Sequence, residues 1–67
     1  MQIILNGKSH HTGNDITIDE LLRELDLEGR LAVEINRKIV PRSQFGSRKI
    51  CPGDSVEIVR AVGGGRE

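Results

Sequence analysis

A chain of 67 residues with one cysteine cannot close a disulfide within itself. Domains this small are marginal unless a disulfide, a metal or a partner helps them. Cys51 has no second cysteine to pair with, and only His10 and His11 stand beside it as nitrogen or sulfur ligands. That is too few for a closed structural zinc site. One domain must therefore hold together by aliphatic packing. Phe45 is the only aromatic residue, so isoleucine, leucine and valine have to build the core.

Charge narrows the class further. Ten basic side chains face ten acidic ones, so no strong overall field draws nucleic acid. No aromatic ladder is present on which bases could stack. The longest apolar runs are a few residues, too short to span a membrane or to form a signal-peptide core. A single unpaired cysteine without an export signal points to the cytoplasm.

The pattern along the chain alternates. "MQIIL" puts Ile3 and Leu5 on one face of a strand and Gln2 and Ile4 on the other. Asn6-Gly7 is the strongest short hairpin signal, because a type I′ turn needs positive φ at both central positions. "KSHHT" returns as a polar strand near an edge. "TIDELLRELDLEG", residues 17–29, reads as a helix. Thr17 caps it, Glu20 completes a capping box, and Asp19 and Glu20 suit the positive end of the helix dipole. Ile18, Leu21, Leu22 and Leu25 make one apolar stripe, Leu27 packs beneath the last turn, and Gly29 is the expected stop. In "RLAVEIN", Leu31, Val33 and Ile35 face in while Ala32, Glu34 and Asn36 face out. Arg37-Lys38 reads as a turn, and "IVP" as a brief strand limited by Pro41. An irregular connection follows, anchored by Phe45 or Ile50. Pro52-Gly53-Asp54 turns the chain into the last strand, "SVEIVRAV", with Val56 and Ile58 on one face and Ser55, Glu57, Val59 and Ala61 on the other.

Two strands, a helix and three more strands fit an α+β domain with one mixed sheet and one main helix packed on one face. This is the β-grasp, or ubiquitin-like, arrangement. The first and last strands are the densest in apolar residues and belong at its centre. Residues 1–62 would form the β-grasp domain, and residues 63–67 a flexible glycine tail.

No catalytic constellation emerges. His10 and His11 are adjacent on a strand, so they point to opposite faces and read as solvated edge residues. Cys51 has Arg48 and Lys49 nearby in sequence but reads as a semi-buried loop residue without a role. The acids of residues 17–29 read as the wet side of the helix. Arg37, Lys38 and Arg42 form a mild basic cluster suited to a solvated loop or a partner contact. No metal site and no set of acid, base and nucleophile can be assembled, so the expectation is a protein without enzymatic activity or bound cofactor.

The three glycines after the last strand are the unusual feature. No helix follows them, so they cannot cradle a phosphate at a helix N-terminus. Without Cβ atoms they have the smallest cross-section and accept any backbone conformation. Extended, they span roughly 10 Å at about 3.3–3.6 Å each. Such a stem can thread a narrow channel in another protein and deliver a carboxylate to a buried site. Ile4, Val59 and Ala61, on the face away from the helix, are the candidate docking residues beside it. A frayed terminus is the plainer alternative.

These segments carry a resemblance. "IILNGK", "TIDELLRELDLEG", "VEINRKIVPRSQF" and "PGDSVEIVRAVGGG" together resemble the ThiS family of sulfur carriers of bacterial thiamine biosynthesis, over residues 1–65. The most specific stretches are "IVPRSQ" and "EIVRAVGGG". The resemblance implies that Gly65 provides the working carboxylate and that Gly63 and Gly64 form its stem. A ThiF-type adenylyltransferase would use ATP to activate that carboxylate. Sulfur drawn from cysteine through a desulfurase would convert it to a thiocarboxylate, and the thiazole synthase ThiG would take the sulfur into the thiazole ring. The carrier would be a co-substrate. Arg66 and Glu67 depart from this pattern, because an internal Gly65 has an amide where the chemistry needs a free carboxylate. A precursor trimmed by a peptidase, a dipeptide foreign to the natural chain, and a relative that has lost the carrier role are the alternatives; the expectation is a mature form that ends at Gly65. A MoaD-like carrier for molybdopterin or tRNA thiolation, and a plain β-grasp interaction module, are the competing readings.

Overall fold

The computed structural model describes residues 1–60. The elements are β1 (Gln2–Leu5), β2 (Lys8–His11), α1 (Ile18–Glu24), β3 (Leu31–Ile35), β4 (Lys38–Val40), a 3₁₀ turn (Arg42–Gln44) and β5 (Ser55–Arg60). They form one five-stranded sheet in the order β2-β1-β5-β3-β4. β1 and β5 run parallel and the other pairs are antiparallel, so the sheet is mixed. This is the expected β-grasp. β5 is the central strand, β1 lies beside it, and the polar β2 is an edge. The expected boundary after Val62 falls outside the described residues.

Alternation fills the inner face. Ile3, Val33, Ile35, Val56 and Ile58 point at the helix, which answers with Ile18, Leu21 and Leu22. Phe45 and Ile50 both enter the core from the long connection, so both candidate anchors are used. Ile3, Ile18, Leu21, Val33 and Val56 are completely buried. Each such side chain contributes about 1.5–3 kcal/mol relative to exposure, which is how a chain without a disulfide reaches stability.

α1 begins as the sequence indicates. The Thr17 hydroxyl accepts from the Glu20 backbone N–H at 3.2 Å, and the Thr17 N–H donates to the Glu20 carboxylate at 2.8 Å. Its end comes earlier than Gly29. Asp26 takes a left-handed φ of 58°, the Asp26 N–H bonds the Arg23 carbonyl, and the Leu27 N–H reaches back to Leu22. This is a Schellman closure with aspartate in the position glycine usually holds. Leu27 is thereby turned back onto the core. The second hairpin also differs by one residue. Its turn is Asn36-Arg37, with φ of 53° and 70°, and Lys38 already belongs to β4. Two exposures differ as well. Cys51 is exposed, where a semi-buried position was expected. His10 is half-buried: it pairs with Ile3 on the helix side, and its Nε2 lies 4.0 Å from Glu24. His11 faces the other way, exposed. Glu24 also accepts from the buried Thr12 hydroxyl at 2.6 Å, which ties the end of the first hairpin to the end of the helix.

Two asparagines complete the pairing of β5. β1 matches β5 only at Ile4–Ser55 and Leu5–Val56 before its turn begins. Asn6 then takes over. Its backbone N–H donates to Val56 at 2.9 Å. Its side-chain amide accepts from the Ile58 N–H at 2.8 Å and donates to the Ile58 carbonyl at 3.2 Å. A side-chain amide thus replaces a missing strand residue. At the other end Asn36 holds Ser55, accepting its N–H at 3.0 Å and donating its own to the Ser55 carbonyl at 2.7 Å. Replacing Asn6 with Gly keeps the turn's positive φ but deletes the amide, and urea denaturation should show a loss of about 1–3 kcal/mol. Asn6→Ala should lose about 1–2 kcal/mol more, because alanine resists the left-handed conformation.

Candidate functional site

The candidate site is the end of β5 and the sheet face beside it. β5 leads toward the glycines, and the Asn6 amide holds Ile58 two residues before its end. Val59 pairs with Ala32, and Arg60 with Leu31. The Arg60 guanidinium donates to the Glu28 carbonyl at 3.2 Å, joining the strand's end to the loop before β3. The last described stretch of β5 is therefore held by β3, by the Glu28 loop and, at Ile58, by Asn6.

Of the sequence-selected residues, Ile4 and Val59 both lie on the sheet face opposite α1, with 37% and 59% of their surface exposed. They do not touch. Ile4 pairs with Ser55, and Val59 lies four residues farther along β5, about 13 Å at ~3.3 Å per residue. Glu57 occupies the row between them. Ala61, Gly63, Gly64, Gly65, Arg66 and Glu67 lie outside the described residues. Sequence reading passed over Ile39, the most exposed large aliphatic among the described residues at 77%. It pairs with Glu34 on the same outer face. The inward turn of Val40 was the available signal, because its neighbour must then point out.

The rest of the surface offers little chemistry. A groove of about 460 Å³ runs between α1 and the 3₁₀ turn, floored by Leu22, Leu27 and Phe45 and rimmed by Arg23 and Arg42. Arg42 is occupied there, donating to the Gly29 carbonyl at 3.1 Å. Among the described residues, no three His, Cys, Asp or Glu side chains converge on a possible metal position. Among them, too, no helix is long and apolar enough to cross a membrane. Lys49 is held above the ordinary lysine value by its 2.7 Å hydrogen bond to Asp15, against slight desolvation, with the charges of Asp15 and Glu20 adding to the effect. This exposed pair ties the loop before α1 to the loop before β5. Its contribution is present at neutral pH and is lost as alkali deprotonates Lys49.

The Cys51 side chain is exposed, while its backbone N–H donates to the Asp54 carboxylate at 2.9 Å. A maleimide should therefore label the folded protein to completion, with no change in its melting temperature. Labelling only after unfolding would contradict the exposed position.

Comparison with known proteins gives this geometry a context. The chain matches the ThiS family model over residues 3–65. It is 38% identical to the sulfur carrier protein ThiS of Bacillus subtilis over 63 residues, covering 91% of this chain and 96% of that protein. It is 37% identical to a thiazole synthase of Paramagnetospirillum magneticum, covering all of this chain but only 21% of that enzyme. The chain thus spans about a fifth of the synthase's length. The crystal structure of the thiamine biosynthesis protein ThiS from Geobacter metallireducens has the same fold, with a TM-score of 0.86 at 29% identity over 97% of this chain and 100% of that one. With one fold and a match that runs from Ile3 through the last of the three glycines, the chain belongs to the ThiS family.

Proposed function

We propose that this chain is a sulfur carrier for the thiazole ring of thiamine and acts as a co-substrate in the cytoplasm. The observation that carries this reading is the family match, which extends through Gly65 and so includes the glycine run. The fold is consistent with it: β5, the central strand of the sheet, is the element that precedes the glycine run in the sequence.

The chemistry follows from the end group. A carboxylate is a poor electrophile. A ThiF-type adenylyltransferase, using ATP, would join the Gly65 carboxylate to AMP and release pyrophosphate. A persulfide, supplied from cysteine through a desulfurase, would then attack the acyl carbon and expel AMP, and a thiol reductant would cleave the resulting acyl disulfide. The product is a thiocarboxylate whose sulfur is nucleophilic without being free sulfide. Glycine leaves the acyl carbon unhindered, and Gly63 and Gly64 keep the stem narrow enough for a channel. The chain itself needs no cofactor, because ATP belongs to the partner. Removal of Arg66 and Glu67 comes first, since an internal amide cannot be adenylated.

A thiazole synthase is the acceptor. The Paramagnetospirillum magneticum enzyme supports this, because a segment like the whole of this chain is part of that synthase. Ordering the stem costs roughly 1–2 kcal/mol per residue, which docking of the sheet face must offset. Ile4, Val59 and Ala61 are the residues proposed to dock.

Intact-mass measurement tests the chemistry. After trimming by a peptidase that removes Arg66 and Glu67, and incubation with the adenylyltransferase, ATP and a sulfur source, the chain should end at Gly65 and gain the mass difference between sulfur and oxygen. Sulfur on a chain that still carries both residues would refute the assignment to Gly65. Val59→Asp should weaken binding to the adenylyltransferase while leaving the melting temperature near that of the native protein.

A further inference from the structure

Among the described residues, nothing covers the outer face of the sheet, and its strand charges are mostly acidic. Glu34 on β3 stands directly opposite Glu57 on β5. Like charges in that position repel across the strands. Ile39 flanks Glu34 on β4, and the Ala32–Val59 pair forms the next outward row. Among the described residues, neither carboxylate lies within ion-pair distance of a cation. The one basic strand residue turned toward this face is His11, beside Gln2 at the far corner. In a chain whose charges balance, these two carboxylates have no counter-charge among the described residues and lie between Ile39 and Val59, two exposed aliphatic side chains.

We propose that Glu34 and Glu57 form the specificity element of the docking face, and that the adenylyltransferase seats an arginine or lysine between them, flanked by apolar side chains that cover Ile39 and Val59. The proposal rests on the carrier reading above and gives its docking surface a chemistry. Charge complementarity supports this occupant, because a partner's cation removes a repulsion that the free chain tolerates. A guanidinium fork can hydrogen-bond both carboxylates at once. Position supports it too. Glu57 lies on the strand that leads into the stem, so a partner seated there grips the root of the segment it must thread. A face of one sign on a neutral protein also orients the encounter, which speeds association more than it tightens the final complex.

The test is the double variant Glu34→Gln/Glu57→Gln, with its melting temperature measured beside its affinity for the ThiF-type adenylyltransferase of the same organism at low and high salt. Without the repulsion, the melting temperature should equal or exceed that of the native chain. Affinity at low salt should fall about tenfold or more, mainly through slower association, and the gap should narrow as salt screens the native contact. Affinity within about twofold of native at both salt concentrations overturns the proposal. So does a lower melting temperature, which would make the pair structural. So does a loss of affinity for the thiazole synthase alone. Val59→Asp separates the levels: if it weakens binding while the double variant does not, the docking face stands and the acidic pair falls. If the native chain does not bind the adenylyltransferase, both fall.

Discussion

The structure depends on how a six-residue strand is held at the centre of its sheet. β5 has a parallel neighbour on one side that pairs with it for only two residues. Left so, the strand would keep unpaired backbone groups in a half-buried position, which folded proteins rarely tolerate. Asn6 and Asn36 resolve this. Each sits in a tight turn at positive φ, a conformation asparagine accepts more readily than most residues. Each then turns its side-chain amide onto β5. The turns that reverse the two hairpins therefore also complete the ladder of the strand between them.

The two faces of that sheet have different tasks. The inner face is saturated with aliphatic contacts to α1 and to Phe45 and Ile50. The outer face bears scattered aliphatics and an acidic pair, and none of the described residues covers them. A core without disulfide or metal needs the first face to be unambiguous in register, because a one-residue slip would expose all of it. The second face is then free to carry recognition without endangering the fold.

Much of this was legible in the chain. The alternation of Leu31, Val33 and Ile35, the Asn6-Gly7 turn and the Thr17–Glu20 box are local signals, and each acts where it is written. The misreadings have physical causes. The helix ends at Leu25 because Asp26 adopts a conformation that the rules reserve for glycine, so Gly29 looked like the stop. Asn36-Arg37 lacks the glycine that marks such turns, which displaced the hairpin by one residue. The candidate face was legible only in part. Val59 and Ile4 could be assigned to it by counting, but their separation could not. The opposition of Glu34 and Glu57 depends on the register between strands distant in sequence, which no local pattern encodes.

The central place of β5 has a consequence for biosynthesis. A ribosome makes this strand after every other described element, yet the sheet cannot close without it. Until residues 55–60 have emerged, β1 and β3 have no common neighbour and the core lies open. Folding is thus withheld until the segment adjoining the glycines exists. A prematurely terminated chain would present exposed aliphatic surface to the cell's proteases instead of circulating as a well-folded decoy lacking its reactive end.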